Sequence, residues 1–332
     1  MIRCLFCCYI TGDDMLKYVL KRIALMLFVF FVIMTFCFVL VKLLPSLPAQ
    51  QFGKDQALIE QRREQLGYGK PLMVQFYLFI KHALRGNWGM SETLYPMSDV
   101  WDTFVEKLPY TITVNLYSML FSVPIGLLLG IYAALKKNKW QDHVISTGVM
   151  ALVSVPSFIY AFLIQYFLCY KFGWFNIIVE DYNVPVFSWK MFVQLAPAVI
   201  ALALPTIAGL TRYTRAELTE VLTSEFMLLA RTKGLTRGQA TVRHALRNAM
   251  VPIFPMIIGE FIGILSGSLI IESIFGISGV GKLYLGAIKA IPPDYNFFML
   301  LSAFYTFIGL FAGILVDISY SFIDPRIRMG AK

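Results

Sequence analysis

The sequence contains few charged residues and lacks a polar stretch long enough for a separate soluble domain. Only 15% of the 332 residues are charged, whereas 58% are hydrophobic, and the mean hydropathy is +0.68. The hydrophobic residues form runs of about twenty, the length that crosses a hydrocarbon core of about 30 Å as an α-helix. These features exclude an ordinary soluble domain and predict an all-α membrane protein.

The five cysteines indicate neither a disulfide framework nor a metal site. Cys37 and Cys169 fall within apolar runs, where cysteine acts as a small apolar residue. The other three lie near the start of the chain and lack a second pair of metal ligands. They are Cys4, Cys7 and Cys8.

The sequence also lacks a catalytic constellation. Its three histidines, His82, His143 and His244, are scattered, and no phosphate-binding Gly-x-x-x-x-Gly-Lys-Ser/Thr motif is present. An intramembrane enzyme is therefore disfavoured. We expect no cofactor in this chain, and any ATP that drives the protein would be bound by a separate chain.

Six apolar runs predict six transmembrane helices. Their expected ranges are 23–44, 112–135, 144–170, 192–211, 252–273 and 297–319. Prolines inside these runs free backbone carbonyls that neighbouring helices or water must satisfy, which favours a packed bundle of bent helices. The prolines concerned are Pro124, Pro156, Pro197 and Pro205.

Basic residues are concentrated in alternate connections between these runs. They precede the first run, fill the connections 136–139 and 212–252, and recur in the tail at 326–332. Lys and Arg accumulate on the cytoplasmic side of membrane proteins, so both termini and residues 212–252 are expected in the cytoplasm. This bias explains the net charge of +9 without a nucleic-acid partner, and the expected partner is the lipid bilayer.

The first external connection has helical apolar spacing over 56–66 and 72–84, followed by a turn at 86–89. Its aromatic residues suit the membrane interface. They are Phe76, Tyr77, Phe79, Trp88 and Trp101. Two interpretations stay open: a cap resting on the outer headgroups, or a contact surface for an external protein.

Residues 212–252 carry consecutive helix start and stop signals. We expect a short helix over 215–223, a second one capped by Ser224 and stopped at Gly234, and a third opened by a capping box at 236–239. The third helix has an apolar stripe of five residues, Val242, Ala245, Leu246, Ala249 and Met250. The alternative is a solvated basic loop that orients the chain and touches anionic lipid.

The stretches 225–234 and 243–249, with Pro252, resemble the EAA loop of ABC importer permeases, in the branch that imports di- and oligopeptides. In that family the loop holds a coupling helix, which sits in a groove of the cytoplasmic ATPase and carries its closing motion to the spans. The resemblance implies, by position, nine ATPase-coupling residues. They are Glu225, Phe226, Ala230, Arg231, Lys233, Gly234, Leu235, Arg243 and His244.

Further motifs extend the resemblance over nearly the whole chain from Met15. They lie at 108–111, 154–158, 272–281 and 317–328. Three residues depart from the family pattern: Tyr68, Gly69, and Asn87, which stands where the family usually has aspartate. The resemblance implies a type I ABC importer permease fold in a bacterial plasma membrane. It also implies three kinds of partner: a second homologous permease, two ABC ATPase subunits and an extracytoplasmic solute-binding protein.

Polar residues inside the predicted spans are candidates for a translocation path. Glu260 is the costliest, because an unpaired charge in the bilayer costs about 2.5–3.5 kcal/mol. Asn115 and Gln165 are cheaper to bury, and all three serve equally well in helix–helix hydrogen bonds. Glu272 is expected at the external interface, and the spacing of Gly259, Gly263 and Gly267 predicts a close helix contact.

The expected organisation is an extension over 1–14, a first span with its external loop over 15–111, a five-span core over 112–320 and a tail over 321–332. The extension precedes a natural initiation site at Met15, and its apolar stretch is too short for a signal peptide. The sequence thus predicts an importer permease for short peptides, driven through the loop 212–252. Alternatives are a related permease for nickel chelates or another small solute, and an ion-coupled secondary transporter.

Overall fold

The computed structural model describes residues 12–43, 61, 64, 69–180, 182–265, 268–291 and 293–323, and these are helical apart from their connections and one isolated β-bridge, Met90 to Asp99. The helices of the first half are α1 (Gly12–Leu43), α2 (Leu72–Ala83), α3 (Val100–Leu135), α4 (Trp140–Ser154) and α5 (Ser157–Ile164), which continues as a π-helix over Gln165–Lys171. Those of the second half are α6 (Trp189–Leu222), α7 (Glu225–Thr232), α8 (Arg237–Ala240), α9 (Leu246–Gly263), α10 (Leu269–Ile274), α11 (Val280–Lys289) and α12 (Tyr295–Ile323). A π-helical stretch, Thr241–Ala245, joins α8 to α9.

Five of these helical stretches are long and apolar enough to cross a membrane, and the bent pair of α4 and α5 forms a sixth if it counts as one span. The five are Val19–Leu43, Val100–Leu135, Trp189–Leu222, Arg237–Gly263 and Tyr295–Ser319. The number agrees with the six spans predicted from the apolar runs.

The predicted third span is not a single straight helix, in agreement with the bend expected from the proline inside it. Its two helices meet at 100° around Val155 and Pro156. Proline has no backbone N–H to donate and disfavours the helical conformation of the residue before it, and Val155 is extended at φ −100° and ψ 127°. Three of the other prolines, Pro124, Pro197 and Pro205, lie inside unbroken helices.

Two expected helix limits in the second half are wrong. Residues 215–222 are not a separate helix but the end of α6, which runs without a break from Trp189 to Leu222. The predicted fifth span, 252–273, ends early: α9 stops at Gly263, and α10 is a separate short helix. Apolar composition did not reveal this break because both sides of it are apolar.

The tightest helix pair is α3 against α6. A Cβ atom added at Gly126 would lie 2.8 Å from the Cβ of Leu210, and one at Gly130 would lie 2.5 Å from that of Thr214. The Thr211 hydroxyl also donates to the Gly126 carbonyl at 3.2 Å. The two helices therefore approach where only glycine leaves room for the neighbouring side chains.

The glycine stripe predicted in the fifth span makes a looser contact. A Cβ atom at Gly259 would lie 3.7 Å from Val316 of α12, and one at Gly263 would meet nothing within 4 Å. Gly267 lies outside the described residues, as do residues 1–11, most of the predicted helix 56–66, and the tail 324–332.

The bundle has two ends that differ in composition. The basic end is formed by residues 136–139, the last turns of α6, and residues 223–245; the opposite end is formed by residues 69–99 and 268–294. At the opposite end the predicted helix 72–84 is confirmed as α2, and the turn after it has positive φ at Gly86 and Gly89.

Two aromatic residues of α2, Phe76 and Phe79, pack on other aromatic rings. The ring centroids of Phe76 and Phe38 lie 5.2 Å apart, and those of Phe79 and Trp88 lie 6.0 Å apart. Tyr77 is exposed, as is Trp101 at the start of α3.

Candidate functional site

The predicted short helix at the basic end is confirmed as α7. Ser224 occupies the N-cap position, although its hydroxyl donates to the Val221 carbonyl at 2.7 Å instead of capping the helix. Gly234 follows the helix with φ +88°, a conformation that L side chains rarely adopt. The predicted helix stop at Gly234 is therefore confirmed, whereas the predicted side-chain cap by Ser224 is not formed.

One face of α7 is anchored in the bundle. Met227 and Ala230 are buried in a cluster of small and apolar side chains from the ends of three spans. The cluster also contains Ala134 of α3, Leu218 of α6, and Ala240, Ala245 and Ala249 of α8, the π-helical stretch and α9. The inner face of α7 is therefore packed against the ends of three spans at once.

The other face of α7 is exposed. Of the predicted coupling residues, Glu225, Arg231, Lys233 and Gly234 are exposed, Phe226 is 44% exposed, and Leu235 is half-buried. The rings of Phe226 and His244 pack edge to face with centroids 5.7 Å apart. A cavity of about 410 Å³ beside α7 is lined by charged residues including Glu225, Arg231 and Arg237.

The capping box that opens α8 is confirmed, with the Thr236 hydroxyl accepting from the Gln239 backbone and the Gln239 side chain accepting from the Thr236 backbone. The apolar stripe beyond it is only partly right, because Val242 is 65% exposed and Thr241 is buried in its place. The π-helical stretch adds one residue to the turn and rotates the buried face. Nor is this segment a separate helix, since it leads directly into α9.

A buried ion pair near the basic end was missed by the sequence reasoning, which assigned Arg215 only to the cytoplasmic charge bias. Asp142, 1% exposed in the first turn of α4, pairs through both carboxylate oxygens with the guanidinium of Arg215 on α6. Its carboxylate also accepts from the Asn138 backbone at 2.9 Å and the Ser146 hydroxyl at 3.2 Å. The available sequence signal for this pair was Asp142 itself, an acidic residue that closely follows three lysines in the connection 136–139.

Two of the three predicted path residues share a cavity. Glu260 of α9 and Asn115 of α3 both line a space of about 210 Å³ between α3, α6 and α9. Gln165 lies elsewhere, and its amide donates to the backbone carbonyls of Ile177 at 2.9 Å and Ile274 at 2.8 Å. It ties two connections together.

Glu272, expected at the external interface, lies at the opposite end of the bundle with its side chain fully buried. Its carboxylate accepts from the Thr111 hydroxyl at 3.0 Å and from the Lys282 backbone at 3.1 Å. A Cβ atom at Gly279 would lie 2.5 Å from this carboxylate and one at Gly281 would lie 2.9 Å from it, so glycine is required at both. Burial raises the pKa of Glu272 to about 7, because desolvation outweighs the hydrogen bonds to its charged form.

Asp294 is a second buried carboxylate at the opposite end, and nothing in the sequence pattern singled it out. Its Oδ2 atom accepts from the Ser91 hydroxyl at 2.5 Å and from three consecutive backbone N–H groups at 3.1–3.2 Å. Those groups belong to Glu92, Thr93 and Leu94. The contact fastens the connection before α3 to the beginning of α12.

Comparisons with known proteins agree with this architecture. Residues 126–329 match the family model "Binding-protein-dependent transport system inner membrane component", and residues 15–115 match the model of the N-terminal part of such components. The dipeptide transport system permease protein DppB of Lactococcus lactis subsp. cremoris (strain MG1363) is 31% identical over 315 residues, covering 95% of this chain and 100% of that protein.

Further similar proteins include the glutathione transport system permease protein GsiC of Escherichia coli (strain K12), 29% identical over 317 residues, with 95% of this chain and 99% of that protein covered. A crystal structure of an amino acid ABC transporter with histidines matches with a TM-score of 0.49 and 21% identity, over 65% of this chain and 92% of that one. From the family match and the full-length relatives, the chain belongs to the permease subunits of binding-protein-dependent ABC importers, in the branch that includes the dipeptide and glutathione permeases, and is a multi-pass protein of the bacterial plasma membrane.

Proposed function

We propose that this chain is the transmembrane permease of an ATP-driven importer for di- or oligopeptides. Segment 212–252 couples closure of a cytoplasmic ATPase to alternating access through the bundle. Both termini and the basic end then lie in the cytoplasm, in accord with the excess of Lys and Arg there. ATP is bound by the partner ATPase.

The observation that carries this proposal is the two-sided character of α7. Its inner face is packed into the ends of α3, α6 and α9, while its outer face presents Glu225, Arg231 and exposed Leu228 to a soluble partner. A helix that only oriented the protein in the membrane would not need this anchorage. This arrangement suits a helix that transmits the movement of a soluble partner to several spans.

The Asp142–Arg215 pair extends this route. Arg215 lies in the same continuous helix as Leu218, which packs in the cluster beneath α7. Through Asp142 the movement of α6 reaches α4, the first half of the bent third span. Asp142 and Arg215 act as positioning residues in this route.

The implied assembly contains a second, homologous permease, two ATPase subunits and an extracytoplasmic solute-binding protein. Peptide substrates are supported by full-length similarity to permeases named for dipeptides and for glutathione, itself a tripeptide. Glu260 and Asn115 are the residues of this chain that we assign to the solute path, whereas Gln165 joins the connection at Ile177 to the end of α10.

Reversing the charge of Arg231 tests the docking surface. Arg231→Glu should weaken recovery of the ATPase on purification of the tagged permease, because an exposed cation at the outer face becomes an anion. Arg85→Glu, an equal charge change at the exposed start of the connection after α2, is the matched control and should leave recovery unchanged. Full recovery of the ATPase with Arg231→Glu would show that this face is not the docking surface.

A further inference from the structure

Glu260 is a carboxylate without a partner in the structure. It lies in the last turn of α9, its side chain is exposed to the neighbouring cavity, and it makes no hydrogen bond or ion pair with any described residue. An uncompensated charge within a span costs about 2.5–3.5 kcal/mol even by lenient insertion scales. A carboxylate at this position therefore needs a compensating positive charge from a group outside the described residues.

The cavity beside Glu260 offers hydrogen-bond acceptors. Asn115, Ser118 and Ser122 project from one side of α3, and Thr206 comes from α6. The Asn115 amide donates to the Thr111 carbonyl at 2.7 Å, which leaves its own carbonyl oxygen as an acceptor. The lining contains a carboxylate, an amide and hydroxyls, and it contains no Lys, Arg or His.

Ser122 adds an unpaired polar group to the lining of this cavity. Its side chain is fully buried, and its hydroxyl is one of eight buried side-chain polar atoms that have no hydrogen-bond partner among the described residues. It is the one of the eight that lines this cavity, and a buried hydroxyl without a partner costs about 1–3 kcal/mol. Here the unpaired hydroxyl and the unpaired carboxylate line the same space.

The guest that fits this lining is an ammonium group. An ammonium carries one positive charge and three N–H donors, which match a carboxylate surrounded by acceptor oxygens. A bound metal ion fits less well, because no group of three or more His, Cys, Asp or Glu side chains able to hold one occurs in the described part of the chain.

We propose that Glu260, with Asn115 and Ser122, binds the terminal ammonium group of a peptide as it passes through the bundle. This inference rests on the proposed function and assigns one subsite of the path to the amino end of the substrate. The subsite selects for a free amino group, independently of whatever the solute-binding protein selects.

Equilibrium binding to the assembled transporter tests the subsite. The permease pair with its ATPases is placed in nanodiscs without the solute-binding protein, and binding of alanyl-alanine is compared with that of N-acetyl-alanyl-alanine. The wild type should bind the free peptide at least tenfold more tightly. Glu260→Gln, which keeps the shape and removes the charge, should bind the two probes equally, and Ser122→Ala should reduce the preference by a smaller factor.

The control is Glu106→Gln, which removes an exposed carboxylate from the same membrane protein without touching the cavity and should keep the full preference. A preference that survives in Glu260→Gln overturns the proposal. So does equal binding, or no measurable binding, of the two probes by the wild type. If a basic residue of the second permease is the true partner of Glu260, Glu260→Gln lowers recovery of the permease pair and leaves the preference intact, which also overturns it.

Uptake of alanyl-alanine into proteoliposomes separates this inference from the proposed function. ATP-driven uptake by the complete wild-type importer without any amine preference in binding would refute the ammonium subsite alone. Amine-selective binding without ATP-driven uptake would refute the peptide-import proposal and leave the subsite standing.

Discussion

The two ends of the bundle are held together by different chemistry. At the opposite end, the buried carboxylates of Glu272 and Asp294 collect hydroxyl and backbone donors from distant parts of the chain. At the basic end, Met227 and Ala230 of α7 pack on alanines and Leu218, and the charged side chains of α7 are exposed. The buried carboxylates of the opposite end are thus satisfied within the chain, whereas the charged side chains of α7 are exposed to solvent.

The contrast has an energetic consequence. Each buried carboxylate at the opposite end serves several donors, so its removal leaves buried polar groups unpaired. Exposed charges on α7 contribute little to stability, since solvent screens them. Substitutions at the opposite end should therefore lower stability, whereas those on α7 should lower coupling. Asp142 combines both features, because it is buried yet lies on the coupling route.

The largest loss of stability is expected from Asp294→Ala. It leaves the Ser91 hydroxyl and three backbone N–H groups without their acceptor, for a cost on the order of 4 kcal/mol at about 1–3 kcal/mol for each buried unpaired group. The melting temperature of the purified permease measures it. Asp102→Ala, which removes an exposed aspartate nearby in α3, should change stability by less than about 1 kcal/mol. Equal losses in the two variants would refute the role of Asp294 as a fastening point.

Breaking the Asp142–Arg215 pair should cost somewhat less. Asp142→Ala leaves a half-exposed guanidinium that solvent partly compensates, so we expect about 3 kcal/mol, at the low end for a buried pair. Arg215→Ala should cost at least as much, because it leaves the buried Asp142 carboxylate with only the Asn138 and Ser146 donors. The double variant should lose clearly less than the sum of the two single ones. Additive losses would mean that the two residues act independently. Glu106→Ala, which breaks the exposed pair with Lys107, is the control and should cost below about 1 kcal/mol.

Glu272 gives the opposite end a pH dependence. The pKa of Glu272 is raised from 4.5 to about 7, so the folded state favours the protonated form, and its contribution to stability is full below 4.5 and lost as the pH rises through 7. The melting temperature should fall between pH 5 and pH 8, by an amount that corresponds to about 2–3 kcal/mol at 1.36 kcal/mol per pKa unit. Glu272→Gln should flatten this slope. An unchanged slope would show that Glu272 does not titrate in this range.

The smallest change in stability, with a large change in transport, is expected from Gly234→Val. A side chain at φ +88° costs about 1–2 kcal/mol and strains the stop of α7, so ATP-driven uptake should fall at least tenfold while basal ATPase activity persists. Gly238→Val is the matched control, because an added Cβ meets nothing within 4 Å at either glycine and only Gly234 has positive φ. Normal uptake by Gly234→Val would contradict coupling through α7.

Local signals were sufficient wherever the structure depends on neighbours in sequence. The capping box at Thr236 and the helix stop at Gly234 each depend on a few adjacent residues, and both were predicted. The number of spans followed from the length of apolar runs. Proline was a less reliable signal, because Pro156 breaks the third span whereas Pro124 lies in an unbroken helix. Whether a helix absorbs a proline depends on neighbours that the sequence does not show.

Long-range contacts could not be predicted in this way. Asp142 and Arg215 are 73 residues apart, and Thr111 and Glu272 are 161 apart. Their pairing depends on which helices become neighbours, which periodicity does not determine. The same limit applies to the path residues: hydropathy marked Glu260, Asn115 and Gln165 alike, and only the packing of α3, α6 and α9 brought the first two to one cavity.

The glycine contact between α3 and α6 restricts how the bundle can move. With the side chains of Leu210 and Thr214 lodged over Gly126 and Gly130, an axial slip by one residue would set side chain against side chain. Rotation of α3 and α6 about this contact remains permitted, with Gly126 and Gly130 as the pivot. Flexure is then expected away from this interlock, at the bend beside Pro156.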